Sequence, residues 1–349
     1  MRLSALLPLL LLAAACGKGN DGIVGKAEVA GSTEDDAESG QGRALEAGRA
    51  LIGKRAPAAL LRTIDGASID LASAYGHKPV YLKFWATWCI PCREQMPGFE
   101  ADYEKYRDQI LTVAVNTGFN DSEDAVRDYR RQHGLQMPIA IDDGTLGTAL
   151  NLRVTPQHVV IGRNGRILYV GHAADDRLRQ ALADAIREPA ATAPVAPSDG
   201  TSETAATESA LDVLAGVPLT GAIADGKPRV LVFFTPWCES YFATSRPAYA
   251  ANCKRMREEV NTLVSAGGVH WVGISSGLWS SAKDLQDYRS SKSMLVPLYL
   301  DATGRLFRSF DVRDVPTAIV LDRRGRIVRR VGPTDGNLAA AIRMAEARS

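Results

Sequence analysis

Cys89 and Cys92 stand three positions apart in the stretch FWATWCIPCREQMP, residues 84 to 97. Disulfide exchange needs an attacking thiolate and a second thiol that resolves the mixed disulfide. A C-x-x-C pair at the start of a helix supplies both. Cys89 falls at the helix N-terminus, where unpaired N–H groups and the helix dipole favour its thiolate. Cys92, one turn later, is within reach of the sulfur that Cys89 has bonded. Pro91 suits the first turn, where a missing N–H costs nothing. Trp85 and Trp88 give the sulfur an apolar surround. A zinc site would call for a second pair of ligands at matching spacing, and there is no second C-x-x-C. Covalent haem would call for His at position 93, which is Arg. A copper chaperone would call for three residues between the cysteines. The pair is expected to be redox-active, with no metal and no cofactor.

A second stretch, FFTPWCESYFATSRP at 233 to 247, repeats the layout with one cysteine missing. Cys238 matches Cys89, and Tyr241 takes the place of Cys92. Only Cys253 is left as a partner for Cys238. The chain runs 24 positions from Cys89 to Val113 but 34 from Cys238 to Val272, so the second copy carries ten extra residues near Cys253. A longer helix would put Cys253 about 22 Å along its axis from Cys238, beyond the roughly 4.4–6.8 Å between alpha carbons that a disulfide spans. The apolar phase Phe242, Tyr249, Cys253, Met256, Val260, Leu263 supports that helix and makes Cys253 a packed core thiol. A break near Pro247 would let the chain fold back and pair the two. An even cysteine count in an oxidising compartment supports pairing, but the periodicity is the stronger signal. In neither case is the second copy expected to be an independent C-x-x-C reductase.

The elements that must position these residues occur twice in one order. Strand, helix, strand, helix, strand, hairpin, helix can be read from PVYLKFWATWC to DDRLRQALADAI, and again from RVLVFFTPWC to NLAAAIRMA. Asn164-Gly165 marks the first hairpin turn. The order predicts an α/β fold of two tandem domains, each a mixed sheet with helices on both faces. The expected boundaries are 51–187 and 211–349, joined by a Pro, Ala, Ser and Thr-rich linker over 188–210. Residues 17–50 read as a flexible tether. Residues 1–16 have Arg2, an apolar run from Leu3 to Ala15 and then Cys16, which is an export signal too short to span stably. With 349 residues and a net charge of +1, the chain offers no electrostatic case for nucleic acid.

FWATWCIPC, with Pro97 and the later Val154-Thr155-Pro156, resembles the TlpA/ResA-like thioredoxin-fold disulfide oxidoreductases of bacterial envelopes. The front piece IGKRAPAALLRTIDGASIDLASAYGHKPV resembles that family's N-terminal hairpin, with Asp65-Gly66 at the turn. The likeness covers nearly all of 51–187; residues 211–349 resemble the same fold with a degenerate site. It implies a thiol-disulfide oxidoreductase with Cys89 and Cys92 catalytic, and a cis-proline loop at Thr155-Pro156 that binds clients together with Trp88. Cys238 and Cys253 form a possible second thiol site, in a domain that binds a partner or modulates the first. The implied partners are protein thiol or disulfide clients and an upstream membrane electron donor or acceptor. Ala14-Ala15-Cys16 resembles a bacterial lipoprotein processing box, which implies lipidation at Cys16, a periplasmic-side location and a lipid anchor as the membrane contact.

Two positions depart from the resemblance. Many family members have Glu one turn after the second cysteine; here it is Gln95. Thioredoxins bury an Asp where this chain has Lys83, and a cation there would favour thiolates unless it snorkels to solvent. Among the five histidines, His158 lies nearest the expected site, and packing is a commoner role for it than proton relay. The basic run 322–330 reads as a solvated hairpin. Two rival functions remain. One is a peroxiredoxin-like peroxidase, suggested by T-x-x-C at Thr235 to Cys238 but lacking the upstream Pro, since position 231 is Leu. The other is a non-catalytic binding module, which the intact C-x-x-C opposes.

Overall fold

Among the described residues ten strands form two five-stranded sheets, and the sheets share one topology. The computed structural model describes residues 39–189, 209–221 and 225–348. The expected export signal, Cys16 and most of the expected linker lie outside those residues.

The first half opens with α1 (Gly40–Arg49), a β-hairpin β1 (Leu60–Arg62) and β2 (Ser68–Asp70), and one turn of helix α2 (Leu71–Ala74). Then come β3 (Val80–Trp85), α3 (Ile90–Tyr106), β4 (Leu111–Asn116), α4 (Glu123–His133), β5 (Ile139–Ile141), α5 (Thr145–Ala149), β6 (Gln157–Ile161), β7 (Ile167–Gly171) and α6 (Asp176–Arg187). The sheet order is β5-β4-β3-β6-β7. β3, β4 and β5 are parallel, and β6 and β7 run antiparallel to their neighbours. β3 is central and every residue in it is buried, which explains its near-continuous apolar run. Gly134 ends α4 in the left-handed conformation at φ 64°, the stop expected of that glycine.

The second half repeats the plan. After a single turn α7 (Ala210–Val213) come β8 (Arg229–Phe234), α8 (Cys238–Ser245), α9 (Pro247–Val264), β9 (His270–Ser276), α10 (Ala282–Ser291), β10 (Leu298–Asp301), α11 (Arg305–Ser309), β11 (Thr317–Leu321), β12 (Ile327–Val331) and α12 (Leu338–Ala347). The order β10-β9-β8-β11-β12 matches the first sheet strand for strand.

Two expectations need correction. The tether expected over 17–50 does not reach residue 50: Gly40–Arg49 is a helix, capped by Ser39, whose side chain accepts from the Gly42 N–H. Its small residues Ala44, Ala47 and Gly48 are buried, and a Cβ on Gly48 would collide with Val170 of β7. Composition alone missed it because a helix that packs through Gly and Ala lacks the large apolar residues that mark an amphipathic face.

The longer helix expected to separate Cys238 from Cys253 is also absent. The chain breaks at Arg246 (φ −143°, ψ 66°) between α8 and α9, because Pro247 offers no N–H and drives the residue before it out of helical space. α9 folds back, and Cys238 and Cys253 form a disulfide with alpha carbons 6.3 Å apart. The periodicity is sound within α9, where Cys253, Met256 and Val260 are buried together. It carries no information about a change of axis between two helices.

Candidate functional site

The Cys89–Cys92 disulfide sits where β3 hands over to α3, with alpha carbons 5.2 Å apart. Cys89 is the N-cap of α3, and the Cys92 N–H donates to its sulfur at 3.2 Å. An orphan donor of the first turn is thus aimed at the atom that would carry the thiolate charge. Pro91 occupies the first turn. The Thr155–Pro156 bond is cis, and Cys89 Sγ lies 3.3 Å from the Thr155 carbonyl oxygen. The loop before Cys89 is fixed by Asp121: its carboxylate accepts from the Thr87 N–H at 2.7 Å, from the Thr87 hydroxyl, and from Asn116 at 2.9 Å. The Trp88 indole donates to the Phe119 carbonyl at 2.7 Å. The structure therefore brings Trp88, Cys89, Cys92, Thr155 and Pro156 to one place.

Gln95 and His158 belong to a buried polar chain beside the pair. Gln95 Nε2 donates to the His172 carbonyl at 3.2 Å, so its Oε1 faces His158 Nε2, 2.8 Å away. That nitrogen must donate, which leaves His158 Nδ1 to accept from the Tyr81 hydroxyl at 2.9 Å. His172 Nδ1 in turn donates to the Pro156 carbonyl at 2.7 Å. Burial, then the charges of Lys83 and His172, push the His158 pKa well below the ordinary histidine value. The ring is neutral and every hydrogen-bonding atom on it is used. Gln95 in place of a carboxylate thus ties α3 to β6 and to the end of β7, where His172 holds the proline loop, and an amide adds no titrating group there.

Lys83 does not snorkel. It is 0 % exposed, and its Nζ lies 5.3 Å above the Phe99 ring centroid, in the core that holds Cys92 and Met96. No hydrogen-bond partner is within reach of that nitrogen. Burial lowers its pKa to about 7, against a smaller opposing pull from Asp102. Unfolded, the same amine titrates near 10.4. Between about 7 and about 10.4 the unfolded chain binds more protons, so stability rises with pH there; below about 7 the penalty is full and constant. Lys83→Met is expected to raise the melting temperature by roughly 5 °C at pH 6, with the gain vanishing near pH 10. Thermal melts across that range check it, and an equal gain at both ends would remove this account of Lys83.

In the second half Cys238 is 1 % exposed and bonded to Cys253. The T-x-x-C piece at Thr235 therefore presents no free thiol in this state. Tyr241, at the place of Cys92, reaches the first half: its hydroxyl accepts from the Ile90 N–H at 2.9 Å. The Trp279 indole donates to Thr155 Oγ1 at 3.3 Å, and Arg246 donates to Thr87 Oγ1 at 3.1 Å. Sequence reasoning missed Trp279 and Arg246 as site neighbours, and no local signal marks either.

Residues 52–170 match the family described as AhpC/TSA. The thioredoxin-like protein YneN of Bacillus subtilis (strain 168) is 36% identical over 133 residues, 37% of this chain and 78% of that protein. A thiol-disulfide oxidoreductase ResA of Bacillus cereus is 34% identical over 119 residues, 34% of this chain and 67% of ResA. Among solved structures, StoA from Bacillus subtilis is 25% identical with a TM-score of 0.33, covering 36% of this chain and 96% of StoA.

Proposed function

Because the chain belongs to the ResA-like thiol-disulfide oxidoreductases of the AhpC/TSA redoxin family, we propose that Cys89 and Cys92 are its exchange pair. Cys89 attacks or is attacked, and Cys92 resolves the mixed disulfide. The observation that carries this reading is the placement of Cys89. It caps α3 with an N–H aimed at its sulfur and faces the Thr155 carbonyl at 3.3 Å. A client cysteine in an extended segment would meet Cys89 in that groove, flanked by Trp88, Thr155 and Pro156.

In the exchange, the Cys89 thiolate bonds to one client sulfur while the client disulfide breaks and its other sulfur leaves as thiolate. Cys92 then attacks Cys89, and the second client thiolate leaves. Two electrons reach the client, and Cys89–Cys92 ends oxidised. The reverse sequence oxidises a client dithiol.

The clients are protein thiols or disulfides of the cell envelope, and a membrane donor or acceptor resets the pair. Cys16 at the end of an export signal supports a lipid anchor on the periplasmic side; the intact mass of membrane-extracted protein tests that anchor. Among the described residues no helix is long and apolar enough to cross a membrane. The second domain modulates the first. Insulin reduction by the full chain, in the presence of a small dithiol, tests the central reading: wild type accelerates it, and Cys89→Ser leaves only the background rate. Equal rates would end the assignment.

A further inference from the structure

The two halves meet through the same surface used twice. The Asn120 N–H donates to the Arg313 carbonyl at 2.9 Å, and the Trp279 N–H donates to the Arg153 carbonyl at 2.7 Å. Asn120 and Trp279 hold matching places after β4 and β9, both with left-handed backbone, φ 55° and 54°. Arg153 and Arg313 each stand three residues before a cis-proline, Pro156 and Pro316. Trp88 and Trp237, each just before the first cysteine of its half, stack with ring centroids 5.4 Å apart. Their indoles donate to matching carbonyls, Phe119 and Leu278. Thr148 of α5 and Arg308 of α11, again matched positions, hydrogen-bond to each other. Such reciprocal pairing is the signature of a twofold, isologous interface, here built within one chain.

The consequence falls on Cys89, which is 1 % exposed. Trp279 donates to Thr155 Oγ1 and to the Arg153 carbonyl, on the loop that an extended client would use. Tyr241 takes the Ile90 N–H beside the cysteine pair, and its ring packs edge-on to Trp88 at 6.0 Å. We infer that the second domain is a built-in competitor for the client groove: it docks its own degenerate face over Cys89, and exchange with a protein client requires that face to lift away. Tyr241, at the place matching Cys92, sets a hydroxyl cap on the neighbouring site.

This inference rests on the exchange reading, so its test uses a readout that does not. In the oxidised full chain, reduction of Cys89–Cys92 by tris(2-carboxyethyl)phosphine is followed by quenched alkylation and mass analysis of the peptide holding both cysteines. Trp279→Gly keeps the left-handed backbone and its N–H while removing the ring. It is expected to speed reduction about tenfold. Tyr241→Phe removes only a hydroxyl and leaves the packing; it is expected to speed reduction two- to tenfold. Equal rates in wild type and both variants overturn the inference, even where insulin is reduced normally. Faster phosphine reduction in the variants supports it. If insulin is then reduced by none of the three proteins, the closure stands and the exchange reading falls.

Discussion

Cys92→Ser turns the protein into a trap. Attack by Cys89 survives, resolution is lost, and covalent complexes with clients accumulate through Cys89. Insulin turnover falls on the order of 10³-fold, the scale seen when one member of a reactive unit is removed. Cys89→Ser loses turnover equally but traps nothing. The asymmetry follows from geometry: Cys89 is the helix cap whose sulfur receives the Cys92 N–H and faces the Thr155 carbonyl, whereas Cys92 lies inside the first turn of α3. Non-reducing gels of both variants after exposure to envelope extract, with mass identification of the linked cysteine, decide the matter. Equal trapping by the two variants would reverse the assignment of attacker and resolver.

Cys253→Ser is expected to destabilise the second domain by about 3 kcal/mol, the chain-entropy value for closing a loop of about 15 residues; the two cysteines are 15 positions apart. The melting temperature of the oxidised protein should fall by roughly 10 °C. The disulfide joins the first turn of α8 to α9 across the break at Arg246, so its loss frees the bend that points Phe242 and Tyr241 at Trp88. Scanning calorimetry of the unreduced protein measures the drop. An unchanged midpoint would show that packing of Phe242, Met256 and Val260 alone holds the bend.

Much of this was legible from residues. The C-x-x-C pair, the near-continuous apolar run of β3, the Asn164-Gly165 turn and the Gly134 stop are local signals, and local chemistry dictates local structure. Repetition of the element order was legible too, because each strand and helix keeps its own period. The fold-back at Pro247 was open to two readings, since a helical phase continues unchanged on either side of a bend. The burial of Lys83 was misjudged as a choice between function and solvent; its place on the central strand, between β4 and β6, leaves no route to water. The contacts of Trp279, Asn120 and Tyr241 were unreadable in a stricter sense. They join residues more than a hundred positions apart, and their pattern appears only when one half is set against the other.

The self-matching interface also bears on how the chain behaves at high concentration. A surface that fits its own duplicate within one chain fits the duplicate on a neighbouring chain equally well. The contacts do not record which chain supplies the partner; covalent connection does. Two modules on one chain see each other at an effective concentration of about millimolar, so pairing stays within the chain in dilute solution. Crowding the protein to that level makes reciprocal exchange of halves between two chains cost nothing in contacts.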